Sequence, residues 1–111
     1  MIYLDSAATT FQKPPEVARA MAEALETMSS PGRGGHPLAM QAAETAFACR
    51  TELAELFGAA SPEQVVFTMN ATHALNIAIK SLVPSGGRAV ISGYEHNAVT
   101  RPLTALGARV S

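Results

Sequence analysis

Three stretches of this sequence set reactive side chains where a folded backbone can use them. The first is FTMNATHALN, Phe67–Asn76, in which an apolar run passes through Asn70, Ala71 and Thr72 into a helical pattern. Free N–H groups at the start of a helix attract anions, Ala71 is small enough for a phosphate to approach the backbone, and the Thr72 hydroxyl adds a donor. The same residues also read as a plain helix cap, with the Asn70 or Thr72 side chain holding one N–H. The second stretch is GYEHN, Gly93–Asn97, where His96 ends another apolar run. An imidazole there can stack on a planar ligand or move a proton, or it can simply begin a helix bonded to local backbone. The third is SSPGRGGHP, Ser29–Pro37, a glycine-rich loop that carries Arg33 and His36 and reads equally as ordinary surface.

The elements that must position these residues follow from periodicity and punctuation. Pro14 and Pro15 open a first helix whose apolar stripe is Val17, Met21, Leu25 and Met28. A second helix is expected over Leu38–Phe57, stopped by Gly58, with Ala42, Ala46, Cys49, Leu53 and Leu56 on one face. Ser61–Glu63 reads as one helical turn and Val65–Thr68 as a buried strand. A third helix is expected over Thr72–Leu82, a strand over Arg88–Ser92, a fourth helix over Asn97–Leu106 and a strand over Ala108–Ser111. From Val65 onward the order is β, α, β, α, β, which argues an α/β fold with a mostly parallel sheet. Residues 1–60 are read as N-terminal helices and loops, and residues 61–111 as the beginning of a larger sheet domain. The last expected strand has only just begun at Ser111, so the reading expects an incomplete N-terminal fragment.

Bulk properties exclude several classes. At 48% hydrophobic and 15% charged residues, the 111-residue chain has a globular composition. Its formal net charge of -1 and its lack of a basic block argue against nucleic acid as a partner. No apolar run reaches the roughly 20 residues of a membrane span. MIYLDSAATT has no basic segment followed by an apolar core, and one cysteine makes no internal disulfide. A cytoplasmic location is the expectation. His36, His73, His96 and Cys49 lack compact metal-ligand spacing.

Taken in order, YLDSAATT, SPGRGGHPLA, VVFTMNATHALNIAIK and YEHNAV resemble the N-terminal part of the class V aminotransferase superfamily, pyridoxal-phosphate (PLP) enzymes of fold type I. The nearest branch is the cysteine desulfurase and selenocysteine lyase group, and the resemblance covers essentially the whole chain. It implies the start of a PLP fold type I large domain. It implies PLP as cofactor, its phosphate held by the Ala71 N–H and by the backbone and side chain of Thr72. His96 would stack on the pyridine ring and take part in proton transfer. The loops DSAATT and SPGRGGHP would lie near the active-site mouth, with Arg33 and His36 close to substrate. Relatives often carry glycine where Asn70 stands, and asparagine tolerates left-handed backbone comparatively well. His73 stands where glutamate is common and is given no role.

The resemblance also shows which parts this sequence lacks. PLP chemistry uses a Schiff-base lysine and a carboxylate beside the pyridine nitrogen. Neither Lys13 nor Lys80 matches the family's downstream lysine, and Asp5, the only aspartate, lies in the N-terminal motif. Cys49 sits on an apolar helical stripe and reads as a packed thiol, not the reactive cysteine of a desulfurase. No catalytic residue is therefore assigned within the chain. The whole enzyme implied would take sulfur from L-cysteine, leave L-alanine, pass the sulfur to a cysteine as persulfide, act as a homodimer and serve a sulfur-acceptor protein. Two other readings stay open: another class V enzyme, such as an aminotransferase or selenocysteine lyase, and a non-catalytic remnant that binds an anion or a partner subunit.

Overall fold

The structure, a computed structural model, describes residues 2–111. The chain forms two compact units, Met1–Val65 and Val66–Ser111.

In the first unit a short N-terminal loop closes on itself. Ala8 and Thr9 N–H groups donate to the Asp5 carbonyl, and the Tyr3 hydroxyl donates to the Thr9 carbonyl at 2.6 Å. The Tyr3 and Phe11 rings lie 5.5 Å apart, so an aromatic pair backs the loop. Helix α1, Pro15–Thr27, starts with Pro15 in the first turn, where a missing N–H costs nothing. Helix α2, Pro37–Phe57, starts the same way with Pro37. At its end Gly58 turns left-handed (φ 65°), its N–H meets the Glu55 carbonyl, and the Ala59 N–H meets Ala54. This Schellman pair satisfies carbonyls that the helix end would otherwise leave open. A 3₁₀ turn, Pro62–Gln64, follows. Ala39, Ala42 and Ala54 of α2 are buried, whereas α1 buries no residue.

Cys49 departs from expectation, because it is exposed. The buried arc of α2 is centred on Ala39, Ala42 and Ala54, and Cys49 lies about a fifth of a turn from that centre.

The second unit is built from helix α3, Ala71–Leu82, strand β1, Arg88–Ala89, helix α4, Asn97–Ala105, and strand β2, Arg109–Val110. The strands pair in parallel, with Arg88 opposite Arg109 and Ala89 opposite Val110. A tight turn carries the chain from α3 to β1, its Gly87 N–H bonded to the Pro84 carbonyl and Gly86 at φ 70°. Helix α4 ends as α2 does: Gly107 (φ 63°) donates to Thr104 and Ala108 donates to Leu103. Helices α3 and α4 pack on each other, and the core sits on α4, where Ala98, Pro102 and Leu103 are buried.

The mixed helix-and-parallel-strand character agrees with an α/β reading, but the sheet is smaller than expected. Val65–Thr68 is not a strand; Val66 and Phe67 are 72% and 48% exposed. The expected strands at 88–92 and 108–111 shorten to two residues each. A strand is defined by its ladder, and among the described residues only these short segments offer each other partners.

Candidate functional site

The turn into α3 resolves the first of the sequence's ambiguities. Asn70 is the N-cap, and its Oδ1 accepts the His73 N–H at 2.9 Å. Its carbonyl receives the Thr68 hydroxyl at 3.0 Å and the Ala74 N–H at 3.1 Å. Asn70 is therefore a cap, yet it takes only one of the helix's open donors. The Ala71 and Thr72 N–H groups have no acceptor among the described residues, as expected for the first positions of a helix. They carry the positive end of a helix of 12 residues. Cap and open donors thus coexist on one turn. The allowance for left-handed backbone at Asn70 is not needed, because its φ of -169° is ordinary extended chain.

His96 occupies the corresponding place before α4. Its Nδ1 accepts the Ala98 N–H at 3.1 Å, so the ring caps its own helix. That bond makes Nδ1 the acceptor and Nε2 the proton-bearing nitrogen of the neutral ring, and it fixes the ring's orientation. Upstream, Glu95 Oε1 accepts both the N–H and the hydroxyl of Ser92, which pins the turn between β1 and α4.

Thr72 and His96 come together. Both line one open cleft of about 500 Å³ between α3 and α4. From α3 the cleft also receives Asn76 and Lys80; from α4 it receives Asn97, Arg101 and an apolar floor that includes Ala98 and Pro102. No carboxylate lines it. Asn76, Lys80, Asn97 and Arg101 were not singled out from the sequence as lining residues. Their signal was helical spacing: Thr72, Asn76 and Lys80 recur every four residues, as do Asn97 and Arg101.

Arg33 and His36 belong to the other unit. His36 caps α2 without a side-chain bond, and its ring folds against Gly34, where a Cβ would meet Cδ2 at 2.8 Å. In the N-terminal loop, Tyr3, Ser6, Thr10, Phe11 and Gln12 line a second cavity of about 240 Å³. Among the described residues no cluster of His, Cys, Asp or Glu could hold a metal ion, and no helix is long and apolar enough to cross a membrane.

A parallel strand–helix–strand unit with helix N-termini beside a polar cleft defines an α/β arrangement. Residues 2–110 match the Aminotransferase class-V family, and the chain belongs to that family. It is 39% identical over 105 residues to a protein named cysteine desulfurase IscS from Pectobacterium carotovorum, a match covering 88% of this chain and 26% of that protein. It is 36% identical over 103 residues to a probable cysteine desulfurase of Vibrio cholerae, covering 88% of the chain and 25% of the relative. A probable cysteine desulfurase of Synechocystis is 31% identical over 114 residues, covering 98% of the chain and 27% of the relative. The chain thus spans about a quarter of the length of the curated relatives it matches.

Proposed function

We propose that this chain supplies the phosphate-binding turn of a PLP-dependent cysteine desulfurase. The observation that carries the reading is the α3 turn: Asn70 holds the His73 N–H and leaves the Ala71 and Thr72 N–H groups open, beside a cleft that Thr72 shares with His96. Membership of the Aminotransferase class-V family and likeness to three proteins named cysteine desulfurase support it.

The donor set fits a phosphate ester. Two backbone N–H groups and the Thr72 hydroxyl would hold it at the helix N-terminus, where charge-assisted bonds are strongest. His96, held by its bond to Ala98, would present its imidazole to the ring from a fixed direction. Bound PLP supplies an electron sink at the amino-acid carbon, and the lysine that anchors it is not assigned to this segment. In the overall reaction the C–S bond of L-cysteine breaks, its carbon gains a proton to become alanine, and a cysteine thiolate takes the sulfur through a new S–S bond.

The test uses the longer protein that carries this segment, incubated with PLP and L-cysteine. Equal amounts of alanine and transferable sulfur support a desulfurase. Conversion of L-cysteine to its own keto acid, mercaptopyruvate, with the C–S bond intact and the amino group passed to an added keto acid, would assign an aminotransferase, and no turnover of any amino acid would refute the enzyme reading.

A further inference from the structure

Arg88 and Arg109 are the first residues of β1 and β2, and the parallel register sets them directly opposite each other. Neighbouring strands run about 4.8 Å apart, and directly opposed residues project to the same face of a sheet. Two guanidinium groups therefore rise side by side from one rim, and both residues are exposed. Like charges in opposed positions destabilise a ladder, and nothing in this unit offsets them. Residues 66–111 contain a single acid, Glu95, which is bonded to Ser92 past the other end of β1. Among the described residues neither arginine side chain makes an ion pair or a hydrogen bond.

The backbone nevertheless holds the two charges together. Each arginine follows a turn with a left-handed glycine, Gly86 (φ 70°) before β1 and Gly107 (φ 63°) before β2. The turns are tied to each other: the Gly86 N–H donates to the Leu106 carbonyl at 2.8 Å, and the Ser85 hydroxyl donates to the same carbonyl at 3.4 Å. The Arg109 N–H then donates to the Gly87 carbonyl at 2.8 Å. A slip of one residue would send one side chain to the opposite face, and these bonds forbid it. The pair stands at the amino ends of the strands, whereas the turn that carries His96 leaves the carboxyl end of β1. Neither arginine lines the α3–α4 cleft.

We propose that Arg88 and Arg109 form a binding site for a phosphoryl group, free or carried on a small phosphate monoester, at the amino-end rim of the sheet. Each guanidinium offers a planar fork of donors, and a doubly charged tetrahedral group has oxygens and charge for both forks. A single carboxylate brings one charge and two oxygens, which one fork already uses. A bound dianion turns the repulsion across the ladder into attraction on both sides. The site rests on the strand register, is independent of the cofactor reading and leaves the turn at Ala71 and Thr72 free for its own ligand.

The test is an NMR titration of the isotope-labelled chain in the Thr72→Val background, which weakens the other phosphate contact. Chloride is replaced at constant ionic strength by inorganic phosphate and, separately, by glycerol phosphate, at about pH 8, where the phosphoryl group is mostly doubly charged. The Nε–H signals of Arg88 and Arg109 should shift together and saturably, with a Kd on the order of 1 mM for so exposed a pair, while the exposed Arg33 stays still. Arg88→Gln and Arg109→Gln should each weaken binding at least about tenfold, the equivalent of one lost charge-assisted bond. If a glutamine variant loses its dispersed spectrum, Arg88→Lys and Arg109→Lys, which keep the charge and remove the fork, should still weaken binding severalfold, and the wild-type arginine signals carry the test. An ester bound at least as tightly as the free ion assigns a phosphate monoester, and a weaker one assigns the ion. Arginine signals that move no more than that of Arg33, the same shifts with acetate, or folded glutamine variants that bind as tightly as the unsubstituted pair would each overturn the proposal.

Discussion

Helices α1 and α4 make opposite use of their apolar residues. Helix α4 puts Ala98, Pro102 and Leu103 into a core, with Leu103 only 2% exposed. Helix α1 carries a cleaner stripe, yet Val17, Met21 and Leu25 are 40%, 65% and 87% exposed. Periodicity announces a face that wants a partner; it does not supply one. The difference matters for function because the cleft with Thr72 and His96 rests on the helix that is anchored. The polar turn before α4 is held by the bond from the Ala98 N–H to His96 Nδ1, and the helix itself is anchored by the buried Leu103.

The sharpest way to break this comparison is to truncate one leucine on each helix. Leu103→Ala should cost roughly 2–5 kcal/mol, because it removes a buried side chain and leaves a cavity. Leu25→Ala should change stability by no more than about 0.5 kcal/mol, since its side chain is already in solvent. Chemical denaturation of the two variants measures both. Equal losses would mean that α1 is buried after all. A smaller effect is expected at the α3 cap. Asn70→Ala frees the His73 N–H and should cost about 1 kcal/mol, read in the same experiment, while Asn70→Asp should keep the cap. An unchanged Asn70→Ala would remove the cap from the account and leave three open donors instead of two.

The helices were legible in the sequence, with bounds that agree to within a residue at each end. Pro15, Pro37, Gly58 and Gly107 act locally, and their effect on the backbone does not depend on distant neighbours. The strands were not. Val65–Thr68 has the composition of a buried strand, but a ladder needs a second segment, and the run itself does not reveal whether one is present. The site was legible in part. The Asn70–Thr72 turn and His96 each carried two readings, cap and ligand contact, and the structure shows the cap in both cases while leaving donors open beside it. The lining residues Lys80 and Arg101 sit on different helices, and only the packing of α3 on α4 brings them to one cleft. Cys49 lies on an apolar stripe yet is exposed, because a stripe does not by itself bury its members, as α1 also shows.

The central claim is that the open N–H groups of Ala71 and Thr72, with the Thr72 hydroxyl, form a phosphate site. Fluorescence titration of the 111-residue chain with PLP and with pyridoxal, which differ only in the phosphate, tests it most directly. The account predicts that PLP binds more tightly than pyridoxal. It also predicts that Thr72→Val weakens PLP by about tenfold to a hundredfold, the equivalent of roughly 1.5–3 kcal/mol for one bond to a charged group, and leaves pyridoxal unchanged. Equal affinity for the two compounds, or a Thr72→Val chain that still prefers PLP as strongly as the wild type, would contradict it.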